Sequence, residues 1–445
     1  MFLRKIFGGS VRTIVAANTG SQVLAKVFGA GATFLISIMV ARTYGTQGYG
    51  DFTKIITYFS FFFLFSDFGL NAVYLQRRSI KIQEKNETNQ LWPTLVSLRL
   101  VGSIVLIILA LVILEFLPHG TEQGYTTFVR TGILIFIPAI LFQSMLTTAN
   151  AYFQERFRYD LSAVAVGAGS VVAIIVAFVL MPTGAFGTLS GVLAILCGIL
   201  ITAGCAIYFV RRLGASLSLA TTKVRMVGFL RRALPLGLTL IFNVIYFRAD
   251  SFILTLTRAT EEVGIYGFAY KIFEVPLVFP TFFMNSMFPL LLAEVRKSDT
   301  SEALQTTGRF RRLIVGSLFV MIVSSILMVI FLYVASPLLP YIRHEFSASI
   351  EPLRVLSFSA PFFFLTSLTM WVLIALGKQK ILAWIYAVLM IFNILLNSVF
   401  VPRYGYMAAA WITFVSEGIV FLVSGVFVLS VLYPGTRKPR DSSWG

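Results

Sequence analysis

Polar residues along this chain are sparse and gathered in short clusters, and the apolar stretches between them run to about 20 residues or more, the length a helix needs to cross the hydrocarbon core of a bilayer. Twelve stretches reach that length: 12–41, 52–76, 93–117, 127–151, 161–181, 188–210, 233–257, 265–292, 313–338, 353–376, 381–401 and 407–432. They lack the strict alternation of a barrel strand, and in lipid each segment must satisfy its own backbone. The pattern predicts an all-α polytopic membrane protein with twelve transmembrane helices. The longest inner link, RRLGASLSLATTKVRMVGFLRR at 211–232, is amphipathic and basic, as expected of a helix resting on anionic headgroups. It divides the chain into an N-terminal lobe (1–210), the link itself (211–232), a C-terminal lobe (233–432) and a tail (433–445), with six spans in each lobe.

Composition supports the same class. Apolar residues make up 58% and charged residues 12%, against roughly 45–50% and about 25% in soluble domains. The formal charge of +17 would suggest a nucleic-acid partner, but its distribution says otherwise. Alternate connections hold 25 Lys and Arg, from Arg4, Lys5 and Arg12 to Arg437, Lys438 and Arg440, whereas the opposite side holds only Arg42, Arg258, Arg343 and Arg403. That asymmetry places both termini in the cytoplasm and removes the nucleic-acid reading. The apolar stretch after Arg12 is too long for a signal peptide and reads as an uncleaved span. Cys197 and Cys205 lack metal-ligand spacing, and His119 and His344 stand alone in loops, so no metal, disulfide or cofactor is expected.

A short string occurs twice. YGDFTK at 49–54 returns as YGFAYK at 266–271, each at an outer turn followed by an inward helix. Because six is even, the two halves enter the membrane in the same orientation. They read as parallel repeats related by a pseudo-two-fold axis along the membrane normal, facing one central cleft. The stretches VARTYGTQGYGDF, DFGL and YFRADSFIL carry a resemblance to the polysaccharide transporter branch of the multidrug/oligosaccharidyl-lipid/polysaccharide flippase superfamily, over essentially the whole chain. The resemblance implies a flippase of the bacterial inner membrane, working by alternating access. Its cargo would be an O-antigen or capsule repeat unit on undecaprenyl diphosphate, moved from the cytoplasmic to the periplasmic leaflet. It further implies a non-enzymatic monomer whose partners are the lipid-linked oligosaccharide, membrane lipids, and polysaccharide polymerase and ligase machinery. No G-x-x-x-x-G-K-[ST] loop is present, so the energy source is an ion gradient, H+ or Na+, or the substrate's own gradient.

Ionisable residues within spans are costly and mark function. Asn18, Gln22 and Lys26 recur every four residues on the first span and are expected to face the cleft, with a Lys26–Asp67 pair as the structural alternative. Arg248 and Asp250 point to different sides of the seventh span, whereas Lys271 and Glu274 share a face of the eighth. The expected diphosphate and sugar contacts are Lys26, Arg248, Lys271, Asn18 and Gln22, with Arg248 offering a bidentate fork to phosphate oxygens. Asp67, Asp250, Glu274 and Glu417 are candidates for ion coupling or structural ion pairs. Lys54 is expected to snorkel to water, Arg99, Arg130 and Arg354 to anchor at interfaces, and Asn393 and Asn397 to bond between helices. A cation-coupled multidrug antiporter of the same superfamily is the main rival and predicts a net acidic cleft. A membrane glycosyltransferase or ligase would need larger outer loops.

Overall fold

The apolar runs form helices throughout. The computed structural model describes the backbone of residues 11–79, 85–215, 219, 222–296 and 308–432, and the side chains of 20–78, 90–215, 219, 222–295 and 309–430. Asn18, Arg4, Lys5, Arg12, Lys81, Lys85, Lys297 and the tail arginines and lysine of 433–445 fall outside the described side chains. The chain packs as two compact units, Met1–Phe268 with Pro340–Ser347, and Ala269–Leu339 with Ala348–Gly445.

The first unit contains α1 (Val11–Asp67), α2 (Leu70–Ser79), α3 (Lys85–Phe116), α4 (Thr127–Phe136), α5 (Ala139–Glu155), α6 (Tyr159–Leu180), α7 (Leu189–Arg212), α8 (Lys223–Thr257) and the start of α9 (Thr260–Glu274). Small residues let α6 and α7 approach closely: a Cβ on Gly169 would stand 2.4 Å from the Gly198 carbonyl oxygen, and one on Gly198 would stand 2.8 Å from Ala173 Cβ. A second core joins Tyr74, Leu91, Leu95 and Ala151 to Phe229 and Ala233, which anchors the cytoplasm-assigned end of α8 on α2 and α3. The second unit contains the rest of α9, α10 (Val278–Arg296), α11 (Gly308–Ala335), α12 (Ile350–Ala375) and α13 (Gln379–Leu432). There α12 and α13 are tied by Thr369 and Ser424, whose hydroxyls lie 2.7 Å apart, and by Phe362 against Phe414.

Among the described residues ten helices, not twelve, are long and apolar enough to cross a membrane. The difference lies in Gly20–Arg78 and Gln379–Ser430, each more than 50 residues long. A straight helix of that length would exceed ~75 Å at 1.5 Å per residue, more than twice the ~30 Å hydrocarbon core. Near the middle of each stands a glycine outside helical geometry, Gly45 (φ 67°, ψ −165°) and Gly405 (φ 65°, ψ −153°), a conformation that L side chains avoid. In α13 the break makes a hairpin. Asn393 Nδ2 donates to Ser416 Oγ at 3.1 Å, although 23 residues of straight helix would separate them by ~34 Å. The expected inter-helix bonding of Asn393 is thus observed, and Asn397 Nδ2 supports it through Asn393 Oδ1 at 2.9 Å.

Candidate substrate-binding site

Both copies of the repeated string contribute to one contact in the first unit. The Tyr49 ring meets Phe268 edge-on with centroids 5.2 Å apart. Between the rings the backbones approach so closely that only hydrogen fits. A Cβ on Gly50 would lie 2.0 Å from the Thr260 carbonyl oxygen, one on Gly264 would lie 1.9 Å from that of Thr46, and one on Gly267 would lie 2.7 Å from Thr53 Cγ2. The glycines of the two strings therefore share a steric cause: neither position has room for a Cβ, Gly50 against the Thr260 backbone and Gly267 against the Thr53 side chain of the first string.

Three neighbours secure this contact. Lys54 does not reach water; it is fully buried and donates from Nζ to the Gly124 carbonyl (2.9 Å) and to Thr260 Oγ1 (2.6 Å). Burial of its ammonium is sustained because the turn after α3 and the α8–α9 junction bring oxygens to it, the latter also through Thr260 N donating to Glu122 O at 3.0 Å. From the segment 340–347, Phe346 packs 4.4 Å from Phe268, and Glu345 Oε2 accepts from Thr46 N at 2.9 Å and Thr46 Oγ1 at 3.1 Å. Arg343 Nε donates to the same carboxylate at 3.0 Å. These donors favour the charged form and hold the Glu345 carboxyl below its ordinary value, the Thr46 amide being the largest cause.

Deeper in the same unit, Asp67 pairs with Arg99, Oδ1 to Nη2 at 2.9 Å. The expectation that Arg99 sits at an interface is corrected: its side chain is 3% exposed. The reason is the DFGL stretch. Phe68 (φ 44°) and Gly69 (φ 71°) are left-handed and end α1 at Asp67, which removes the helical partner of the Ser66 carbonyl. Arg99 fills the gap, with Nη1 donating to Ser66 O and Nη2 also to Asn71 Oδ1 at 2.7 Å. Arg130 donates from Nη2 to Leu114 O (2.7 Å) in the last turn of α3 and to Leu117 O (3.2 Å) just beyond it. Arg354 in the second unit stacks 4.6 Å from the Tyr333 ring and pairs with Glu351 at 3.1 Å.

Of the expected site residues, Gln22 is half-buried and Lys26 is exposed on α1. Arg248 is half-buried on α8, and Asp250 is buried there, accepting from Ser251 N at 2.6 Å and from the Tyr266 hydroxyl. Thus Tyr266, from the second copy of the string, holds one of the charged residues of YFRAD. In the second unit Lys271 Nζ and Glu274 Oε2 lie 3.6 Å apart on α9, as their spacing predicts. Glu417, buried on α13, lies one residue beyond Ser416 of the hairpin bond. No composition or periodicity signal pointed to Thr260 or Glu345; Thr260 at the start of α9 and Glu345 in a short 3-10 helix both meet glycines far away in the chain.

The profile of a family described as "Polysaccharide biosynthesis protein" matches residues 15–293, well over half of the chain. The chain belongs to this family. A sequence comparison with curated proteins finds no match. The fold of this polysaccharide biosynthesis family member is shared with the lipid II flippase MurJ in an inward closed conformation, at 16% identity and a TM-score of 0.71, covering 92% of this chain and 89% of the other. It is also shared with a multidrug resistance MATE family transporter of the MOP superfamily in an inward-facing conformation, at 11% identity and a TM-score of 0.70, covering 92% and 98%. The outward-facing form of a MATE family transporter aligns at 12% identity and a TM-score of 0.62, covering 95% and 97%. With ten helices long and apolar enough to cross a bilayer among the described residues, the family member is a multi-pass membrane protein that shares the fold of these transporters.

Proposed function

We propose that the chain is a flippase for oligosaccharide carried on a polyprenyl diphosphate such as undecaprenyl diphosphate, an O-antigen or capsule repeat unit, moved from the cytoplasmic to the periplasmic leaflet of a bacterial inner membrane. The observation that carries this reading is the set of cations, Lys26, Arg248 and Lys271, held on apolar helices of a polysaccharide biosynthesis family member. Counting two spans about each of Gly45 and Gly405, the ten helices become twelve, in two lobes of six with cytoplasmic termini. In this reading the diphosphate meets the cations in a cleft of low dielectric, where each contact is stronger than in water. Asn18 and Gln22 serve the sugars, and the polyprenyl tail stays in lipid.

Asp250 and Glu417, both buried carboxyls, are the residues we assign to a coupling proton or sodium ion. Asp67, bound to Arg99, is a brace, and the Lys271–Glu274 pair opens to admit phosphate. The cargo enters from the cytoplasm, and a rocking motion of the lobes releases it outside. The experiment is leaflet exchange in proteoliposomes, using labelled polyprenyl-diphosphate oligosaccharide with and without proton and sodium gradients. We expect exchange that a Lys26→Ala, Arg248→Ala double variant loses. Exchange equal to that of protein-free liposomes under every gradient rejects the function, and equal rates in the variant reject the site. Export of cationic drugs in place of the lipid would favour the antiporter reading that the MATE-like fold alone admits.

A further inference from the structure

We infer that the first unit carries a second anion site, outside the cleft residues above, built to hold the phosphate of a lipid headgroup. A pocket of about 200 Å3 lies between the last turn of α2, the start of α3 and the first turns of α8. Three arginines line it, Arg77, Arg225 and Arg232, together with the neutral hydrogen-bonding side chains Gln90 and Thr94 and the bare backbone of Gly228. Among the described residues none that lines it is acidic. The positions follow helical spacing: 225, 228 and 232 share a face of α8, and 90 and 94 share a face of α3. Each element thus turns a polar stripe inward.

The pocket is held rigidly. Phe229 and Leu91, which also line it, belong to the core that fixes α8 against α2 and α3. Thr222 caps α8, its hydroxyl accepting from Arg225 N at 3.5 Å, so the positive end of the helix dipole lies beside the arginines. Elsewhere in this unit arginines find carboxylates, as Arg78 does in Glu155 (2.7 Å), Arg158 in Asp160 (2.9 Å) and Arg258 in Glu262 (2.7 Å). Among the described residues none of the three pocket arginines takes part in such a pair. Arg77 Nε is buried and has no hydrogen-bond partner there.

Three like charges converging on a confined polar space repel one another, and a buried donor left unmade is costly. Both costs vanish when an oxyanion enters, and guanidinium forks match phosphate oxygens in pairs. The pocket opens at the basic end of the helices, the level of headgroups in the leaflet that the arginine count assigns to the cytoplasm. Two sources supply that chemistry, an anionic phospholipid and a polyprenyl diphosphate. The inference does not depend on the flippase reading, because a resident phospholipid would satisfy the site in any membrane protein of this fold.

The test uses the full chain in phosphatidylcholine nanodiscs. In one arm phosphatidylglycerol is added and retained lipid is read by native mass spectrometry. In the other, farnesyl diphosphate is titrated and binding is read by calorimetry. Wild type, an Arg77→Gln, Arg225→Gln, Arg232→Gln variant, and an Arg211→Gln control are compared. The expected result is binding by wild type and control in at least one arm, weakened at least about tenfold in the triple variant. Phosphatidylglycerol alone identifies a structural lipid clamp, and farnesyl diphosphate alone identifies a docking point for cargo; both support the site. Gly228→Asp keeps all three arginines and places a carboxylate among them, so it is expected to abolish binding even if the triple variant does not fold. Binding by Gly228→Asp equal to wild type, or no binding by wild type in either arm, overturns the inference. Because leaflet exchange is not measured here, its failure leaves this result standing, and the reverse also holds.

Discussion

Arg99 is a buried guanidinium whose position depends on a broken helix one span away. Its partners are Asp67, Asn71 and the Ser66 carbonyl freed by the Phe68–Gly69 turn. Removing Asp67, itself 36% exposed, leaves the buried guanidinium without its counter-charge, at about 1–3 kcal/mol, whereas replacing both by apolar groups of similar volume is often close to neutral. Asp67→Ala is therefore expected to lower the thermal midpoint of the detergent-purified protein markedly, and an Asp67→Leu, Arg99→Met double variant to recover most of the loss. A double variant as unstable as the single one would show that the pair is not the cause. Glu345 offers a second residue-scale outcome. Its folded value lies below the ordinary 4.5, so its stabilisation is complete above that value and fades as pH falls through the lower folded value. The Thr46 amide resonance in labelled protein should titrate with a midpoint under 4.5 and stay flat in Glu345→Gln; a midpoint at or above 4.5 would contradict the hydrogen bonds described.

Elements were legible where hydrophobicity alone decides them, because a bilayer needs only length and apolarity and both are written in the local sequence. The two joins at 42–51 and 402–406 were legible as well, because RTYGTQGYGD and PRYGY end one apolar run before the next begins. Tyr44–Gly45 and Tyr404–Gly405 carry the same dipeptide and nearly the same φ and ψ, and what the sequence did not reveal is that helix runs up to a single glycine from both sides. An alanine at 405 would have to adopt φ 65°, costing roughly 1–2 kcal/mol. Gly405→Ala should accordingly destabilise the α13 hairpin and speed hydrogen exchange around Asn393 and Ser416, while unchanged exchange would mean that the break tolerates a side chain. Polar contacts were the least readable, because they depend on which helices become neighbours. Lys54 looked like a snorkelling residue until Gly124 and Thr260, 70 and 206 positions away, supplied its acceptors. The Lys271–Glu274 pair, being local to one helix, was read correctly.

For the molecule as a whole, membrane class and family were available from composition and motif, and the repeated string marked a contact that matters to both halves of the sequence. Gly50 and the nearby Gly264 face backbone oxygens, and Gly267 faces the Thr53 side chain, at distances no Cβ can occupy. Gly264→Val should therefore prop that contact apart. With Cys197 and Cys205 replaced by serine, a Thr53→Cys reporter should react faster with a membrane-impermeant maleimide in the valine variant than in its absence. Equal rates would show that the contact does not control access. The groups that touch at these glycines are peptide carbonyls and the side chains of Thr53 and Thr260, none of which gains or loses a proton in the ordinary pH range. Any effect of pH on this seam therefore has to enter through the charged groups beside it, Lys54 on Thr260 and Glu345 on Thr46, which hold its edges and not its glycines.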